Sequence, residues 1–544
     1  MRCKHNWNSD EKKAMKNLRR NAARSRLLVG IALLCFSTGC MVGPKYHAPA
    51  PQAPAAEYKE SPTQYKDNGP WTVAQPDDAK LRGKWWEIFN DAELNALEEE
   101  LNINNQNIKQ YFENFMEARA LVREARSQYF PTLSAAPSVT HSRTSANLRG
   151  ATTGTSTGTT TGTGTTGTGT TGTTTTIATT QLQSTLYSLP LEASWAPDLW
   201  GKVRNTVRNA QYNAQVSAAD LENERLTEQA ALAEYFFEIR GQDELQKLYN
   251  ETVEADRKEL ELTKAQYETG ITNEISVVEA ETALQSAQAG ATNVAIARAQ
   301  YEHAIATLVG KAATGFSIPV KPMIIAPPPI PVGVPSQLLQ RRPDVAAAER
   351  TMAAANAEIG IAYAAYFPSL SLTGEAGYES SALGSLVSWP SRFFSVGTSL
   401  SETVFDAGLR RATVQQYVAT YNADLAAYRQ TVLNAFQQVE DGLAEVRILS
   451  KEIQQEQQAV QAAQTYLKLE EARYETGIDP YVDVLIAQTT VLSDLQTLNT
   501  LQIEEMTDAV ALIEALGGGW NDSQLPKPSQ VTQKSASKDV AIQQ

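Results

Sequence analysis

The chain is poor in the residues that staple or arm small exported folds. It holds 3 cysteines and 4 histidines in 544 residues. Cys3 and Cys35 fall in an N-terminal stretch that reads as removable, so Cys40 stands alone and an intramolecular disulfide is excluded. The histidines that remain, His47, His141 and His303, are scattered and support no zinc site. No nucleophile-and-base arrangement can be assembled, so an enzyme is the least supported class and no cofactor is implied. Long apolar runs are also missing. The longest, Leu27 to Phe36, is far short of the roughly 20 residues of a spanning helix, so any membrane crossing has to be made by strands. Basic charge is scarce too: beyond residue 39 there remain 38 Lys/Arg against 59 Asp/Glu, a surface to which nucleic acid would not bind.

What is present begins with an export signal. Nine Lys/Arg in the first 26 residues precede the apolar run, the pattern of a signal peptide over 1–39, with Met15 as the expected start of a more ordinary version. The run ends in Phe36-Ser37-Thr38-Gly39-Cys40, which resembles a lipoprotein cleavage box and implies a covalent lipid on Cys40. Ser37 stands where the box usually has a large aliphatic residue. Residues 40–84, rich in Pro and Ala, read as a lipidated tether.

The mature chain is written twice. Tyr267-Glu268-Thr269-Gly270-Ile271 recurs at Tyr474 to Ile478, an offset of 207, and Tyr129-Phe130-Pro131 recurs at Tyr366 to Pro368, an offset of 237. The excess of about 30 residues in the first copy is the Thr/Gly run 151–176, an insertion in a hairpin turn. It matches the dinucleotide fingerprint G-x-G-x-x-G only by composition, because no buried strand and helix start frame it.

Each copy has the same plan. After the Tyr-Phe-Pro break the period falls to two, predicting strands at about 131–143 and 185–197, then 368–379 and 392–406. Each pair leads into 68 Pro-free residues, Lys202 to Thr269 and Leu409 to Thr476, which would span about 100 Å as helix. In the second, Val414, Val418, Tyr421, Leu425, Tyr428 and Val432 form a heptad seam. Gly270 and Gly477 are the left-handed caps of helical hairpins, 202–310 and 408–517. The first structural repeat is thus 85–310 and the second 341–520. They are joined by a Pro-rich crossover, 311–340, in which regular structure is not expected, and followed by a disordered tail, 521–544. Arg341, Arg342 and Asp344 read as residues of a helix start, and Asp198 and Asp406 as N-caps.

Four strands cannot close a membrane barrel, which takes about eight or more, so an oligomer is required. Cys40 with Val42-Gly43-Pro44-Lys45-Tyr46, Arg341 to Val345, Phe405-Asp406-Ala407-Gly408 and the paired turns resemble the NodT-type, TolC-like outer-membrane factors of tripartite efflux systems. The resemblance implies an α+β membrane protein: a homotrimeric 12-stranded β-barrel, four strands per chain, continued by a long periplasmic helical barrel. It also implies an outer-membrane location, a periplasmic adaptor and an inner-membrane pump of the RND type as partners, and passive export of drugs or other small toxic compounds. The gate it implies lies just beyond the turns, at Val482, Asp483 and Ile486 and at Ile275, Ser276 and Glu279. A duct for type I protein secretion would keep the same fold, and a periplasmic coiled-coil lipoprotein would lack the strands.

Overall fold

A computed structural model describes residues 41–49, 58–60, 72–73, 83–143, 183–322, 326–328, 330–332 and 340–533. The signal peptide, Cys40 and the Thr/Gly run lie outside the described residues. The chain divides into two compact units, one built on Arg126–Val203 and Ala365–Ala407, the other on Val42–Ala125, Arg204–Ala364 and Gly408–Gln544.

The first unit is an antiparallel sheet. Its members are β2 (Thr132–Ala135), β3 (Ser138–Arg143), β4 (Gln183–Trp195), β6 (Ser369–Ser380) and β7 (Arg392–Ser401). β2 and β3 both pair with β4, which pairs with β6, which pairs with β7. The single strand expected over 131–143 is therefore two, separated at Ala136 and Pro137, because Pro has no N–H to give to a ladder. The register puts Leu191 beside Ala376 and Ala376 beside Phe394, with Leu370 opposite Leu400. These and their period-two neighbours make one apolar face, on which Phe394 and Val396 are more than four-fifths exposed. The other face carries Ser371 opposite Ser399, linked by a hydroxyl hydrogen bond of 2.7 Å. Aromatics mark the ends. Trp200 stacks on Phe367 at 4.8 Å and donates to the Pro368 carbonyl, and Trp195 donates to that of Tyr129.

The second unit is helical. A 3₁₀ turn, Trp85–Phe89, precedes α1 (Ala92–Asn104) and α2 (Gln106–Ser127). The long hairpins are α3 (Lys202–Glu268) with α4 (Glu274–Leu308), and α6 (Leu409–Glu475) with α7 (Tyr481–Ala515); α5 is Pro343–Ala364. Each 67-residue helix is about 100 Å long. The α6 seam is buried at Val414, Tyr428 and Val432 and runs on through Ala435, Val439, Gly442 and Val446 at steps of three and four; Val418 is exposed. Arg342 forms a forked pair with Asp344 and donates to the Ala515 carbonyl at 3.0 Å, closing the C-terminal end of α7.

Several expectations are corrected. The segment after Cys40 is no free tether where it is described. Asn205 and Asn356 hold the carbonyls of Val42 and Pro44, Tyr46 donates to the Glu349 carboxylate, and Glu60 pairs with Arg447. These are polar anchors at irregular spacing, which a periodicity search does not detect. In the crossover, Ala313–Gly315 is a 3₁₀ turn and β5 (Pro331–Val332) pairs in parallel with β1 (Thr72–Val73). The tail forms a 3₁₀ turn at Asp522–Gln524 and a short helix α8 (Pro528–Thr532), whose Val531 packs against Val122 and Ala214. Asp198 accepts from the Val203 N–H at 3.2 Å from ahead of its helix, but the N-cap of α6 is Gly408, not Asp406.

One buried group is out of balance. Glu98 of α1 is fully buried and neither carboxylate oxygen has a hydrogen-bond partner. Burial pushes its carboxyl well above the ordinary value of 4.5. Burial, reinforced by neighbouring carboxylates, likewise raises Glu234 to about 7 and Asp508 to about 6. A raised carboxyl holds its proton in the folded state after the unfolded chain has lost it. Its favourable contribution is full below about pH 4.5 and disappears as pH rises through the folded value. Denaturation midpoints should therefore fall between pH 5 and pH 8, and Glu98→Gln should raise the midpoint at pH 8 and flatten the slope. A steeper slope in the variant would contradict this.

Candidate gate at the helical tips

Both hairpins turn by the same backbone device. At the end of α3 the N–H of Ile271 reaches the Gln266 carbonyl at 2.8 Å and that of Gly270 reaches Tyr267 at 3.0 Å. At the end of α6, Ile478 reaches Arg473 and Gly477 reaches Tyr474, both at 2.9 Å. This is the paired six-to-one and five-to-two closure that needs a left-handed residue. Gly270 and Gly477 supply it at φ +74° and +72°. Thr269 and Thr476 repeat one another as well, each hydroxyl donating to carbonyls of the preceding turn.

The side chains around the two turns differ. Asn273 caps α4 by accepting from the Ser276 N–H at 3.1 Å, whereas α7 starts behind Pro480 with no side-chain cap. Arg473 forks onto Asp479, with Nη2 to Oδ1 at 2.9 Å. This hydrogen bond holds the Asp479 carboxyl low, and the reciprocal bond raises Arg473, with Glu470 and Asp483 adding to its field. Asp483 thus sits in a charged group within its own hairpin. Glu279 has other company. With Glu274, Ile275, Val278, Thr282 and Leu485 it lines an open depression of about 430 Å³, and its charge also acts on Tyr481. Val482, Ile486 and Ile275 are exposed; Ser276, Glu279 and Asp483 are half-buried.

Beneath the turns the two hairpins share one apolar cluster. Leu260 of α3, Ala280 and Leu284 of α4 and Tyr481 and Val484 of α7 are buried in it, with Tyr474 and Leu467 of α6 packed against them. The Tyr474 and Tyr481 rings lie 5.5 Å apart, and the Tyr474 hydroxyl donates to Gln266 Oε1 at 2.8 Å. Sequence reasoning missed Tyr481 and Gln266. The available signal was divergence inside the repeat: offset 207 aligns Gln266 with Arg473 and Glu274 with Tyr481. Among the described residues no group of three or more His, Cys, Asp or Glu is placed to hold a metal, and no helix is long and apolar enough to cross a membrane.

Comparison with known proteins agrees with this geometry. The family model described as outer membrane efflux protein matches residues 97–311 and 334–518. The chain belongs to this family. It is 30% identical over 503 residues to the antibiotic efflux pump outer membrane protein ArpC of Pseudomonas putida, covering 91% of this chain and 96% of the relative. It is 27% identical over 500 residues to the cation efflux system protein CusC of Escherichia coli, covering 89% and 96%. The solved outer-membrane channel OprN superimposes with a TM-score of 0.75 at 26% identity, over 88% of this chain and all of that one. For the CmeC channel of Campylobacter jejuni the TM-score is 0.76 at 21% identity, over 90% and 97%, a likeness of fold. The protein is thus an outer-membrane efflux component with the TolC-like fold.

Truncating a buried ring of this size costs about 3 kcal/mol or more. Tyr481→Ala is therefore expected to lower hydrogen-exchange protection around 256–290 and 467–490 while sparing the sheet. Unchanged protection there would show that the tyrosine cluster does not hold the tips together.

Proposed function

We propose that three copies of the chain close a 12-stranded barrel and act as the passive exit duct of an RND-type tripartite efflux system, joined to a periplasmic adaptor and an inner-membrane pump. The observation that carries this reading is the meander of four strand positions, one of them shared by β2 and β3, with no further strand beside either end of it among the described residues and with one bare apolar face. Open edges are not tolerated in hydrocarbon, and three copies supply 12 strands, inside the range of known barrels. A lipid on Cys40 would anchor each chain to the membrane. The cargo class is small and toxic to the cell, in line with relatives named for antibiotic, toluene, solvent and cation efflux. The duct itself does no chemistry.

In this reading the helical tips form the gate. Three copies of Asp483, with Glu279 contributing from the other hairpin, would give a carboxylate constriction that favours cations and resists tighter closure. Val482, Ile486 and Ile275, exposed in the single chain, would face one another near the axis. Single-channel recording in planar bilayers tests the assignment. Asp483→Ala combined with Glu279→Ala should change conductance and lower cation preference. Conductance and selectivity equal to the parent protein would remove these residues from the gate.

A further inference from the structure

The charges of the strand unit are sorted by face. Directly paired residues of neighbouring strands point to the same side of a sheet. Val139 faces Tyr187, so His141 and Arg143 of β3 share the apolar face, and Tyr378 faces Arg392, which places Arg392 there as well. Glu192 stands opposite Glu375, on the polar face with Glu379. Among the described residues of this sheet, every base lies on the apolar face and every acid on the other, in a chain of net charge -14. Arg392 also sits at a border. It begins β7 at the end that does not lead on to α6. The eight steps from Arg392 to Leu400 are about 27 Å of strand, or about 20 Å of height at the usual barrel tilt, against an apolar band about 25 Å tall. A guanidinium on the lipid face of a barrel is costly at mid-depth and tolerated at such a border.

The connection 381–391 from β6 to β7 is built inside out for a loop in water. It carries no charged residue. Two 3₁₀ turns, Leu383–Ser385 and Trp389–Ser391, shape it, and its hydroxyls bond to its own groups. Ser380 meets Ser385 at 2.8 Å and Ser388 meets Ser391 at 2.9 Å, while Ser388 and Ser391 both donate to the Ser385 carbonyl, at 2.8 and 2.7 Å. Leu383, Val387 and Trp389 are left 66, 74 and 77% exposed. Polar groups satisfied internally with apolar side chains outward is the arrangement hydrocarbon requires, and Trp is the residue favoured at its border. Arg392 ties this loop to the strand. Its Nε donates to the Trp389 carbonyl at 3.1 Å and its guanidinium lies over the Trp389 ring. Because Arg392 belongs to the apolar face, the ring lies on that side too.

We propose that this border is a binding surface for the phosphorylated glucosamine lipid of the outer leaflet. Arg392 takes a headgroup phosphate on its forked donors, a geometry suited to guanidinium and phosphate, with the Trp389 ring setting the plane of the fork. Leu383, Val387 and Trp389 lie among the acyl chains, continuing the exposed apolar row that begins at Phe394. The sheet's carboxylates are on the other face and do not compete for the arginine. His141 and Arg143, further along the same face, favour a headgroup with more than one phosphate over a singly charged phospholipid. The surface rests on the outer-membrane location and is independent of the pump partners and of the gate.

Native mass spectrometry of the full-length protein in detergent tests this with three probes: bisphosphorylated lipid A, the same lipid without its phosphates, and phosphatidylglycerol. The expected result is saturable binding of bisphosphorylated lipid A at one per chain, about tenfold tighter than either of the others. Arg392→Gln should remove that advantage, Arg392→Lys should recover part of it, and Glu375→Gln on the opposite face should leave it intact. The loop is read separately in bilayers of dibrominated phosphatidylcholine, which needs no Arg392 variant and so stands should those fail to fold. The fluorescence lost in Trp389→Phe should be quenched by the brominated chains and shielded from iodide. Equal affinity for the three lipids, lipid A binding unchanged in folded Arg392→Gln, or a Trp389 signal quenched by iodide alone would overturn the proposal. So would break-up of the oligomer in Trp389→Ala, which would assign the loop to a neighbouring chain.

Discussion

In hydrocarbon every backbone N–H and C=O has to find a partner within the protein, and the strand unit is built around that demand. Strands β2 and β3, then β4, β6 and β7, follow one another as an antiparallel meander. Interior ladders are satisfied within the chain, while among the described residues no strand pairs with the outer edges of the meander. This makes alternation strict: shifting one strand by a single residue would turn Leu191, Ala376 and Phe394 away from their shared face. The same demand explains why Pro137 separates β2 from β3 and why the aromatics gather at the Tyr-Phe-Pro motifs, where Trp rings can hydrogen-bond carbonyls that leave the ladder.

The helical unit answers a different constraint, that helices of about 100 Å must stay in register over their whole length. The α6 seam achieves this with small and β-branched residues at alternating steps of three and four. Isolated apolar matching along such a seam would tolerate sliding by a heptad. The buried charge network around Arg240, Asp243 and Arg298 does not, since each group has specified partners on α1, α3, α4 or the crossover. A buried ion pair adds little net stability, so its contribution here is positional: it fixes where the crossover lies against the hairpins.

Much of this was legible in the amino-acid order because it rests on period and punctuation. Period two marked the strands, heptads marked the long helices, and Gly after a helix marked both turns. What was not legible depends on single polar contacts across large sequence separations. Tyr46 reaching Glu349, Asn356 holding Pro44 and Glu60 meeting Arg447 fasten residues 41–49 and 58–60, in a Pro/Ala-rich part of the sequence, to the helices. The burial of Val531 in a polar tail is similar. At the tips, the turns could be read from Gly270 and Gly477, yet the cluster that joins the hairpins could not, because Tyr481 looks in sequence like any residue after a helix start.

That cluster also explains how a duplicated unit yields two unlike ends. The backbone closure is common to both copies, and both carry Tyr-Glu-Thr-Gly-Ile at it. The flanking positions differ between the copies, and the differences fit one another. Where the first copy has Gln266 and Thr272, the second has Arg473 and Asp479, which close an ion pair across the turn. Where the first has Glu274, exposed on α4, the second has Tyr481, buried between hairpins. Gln266 then serves as acceptor for Tyr474, a role its counterpart Arg473 could not fill, since a guanidinium accepts no hydrogen bond. The first hairpin is therefore a receiving surface and the second an inserted one. A movement that separates them has to withdraw Tyr481 and break the Tyr474 to Gln266 bond together, which favours two discrete arrangements of the tip over continuous bending.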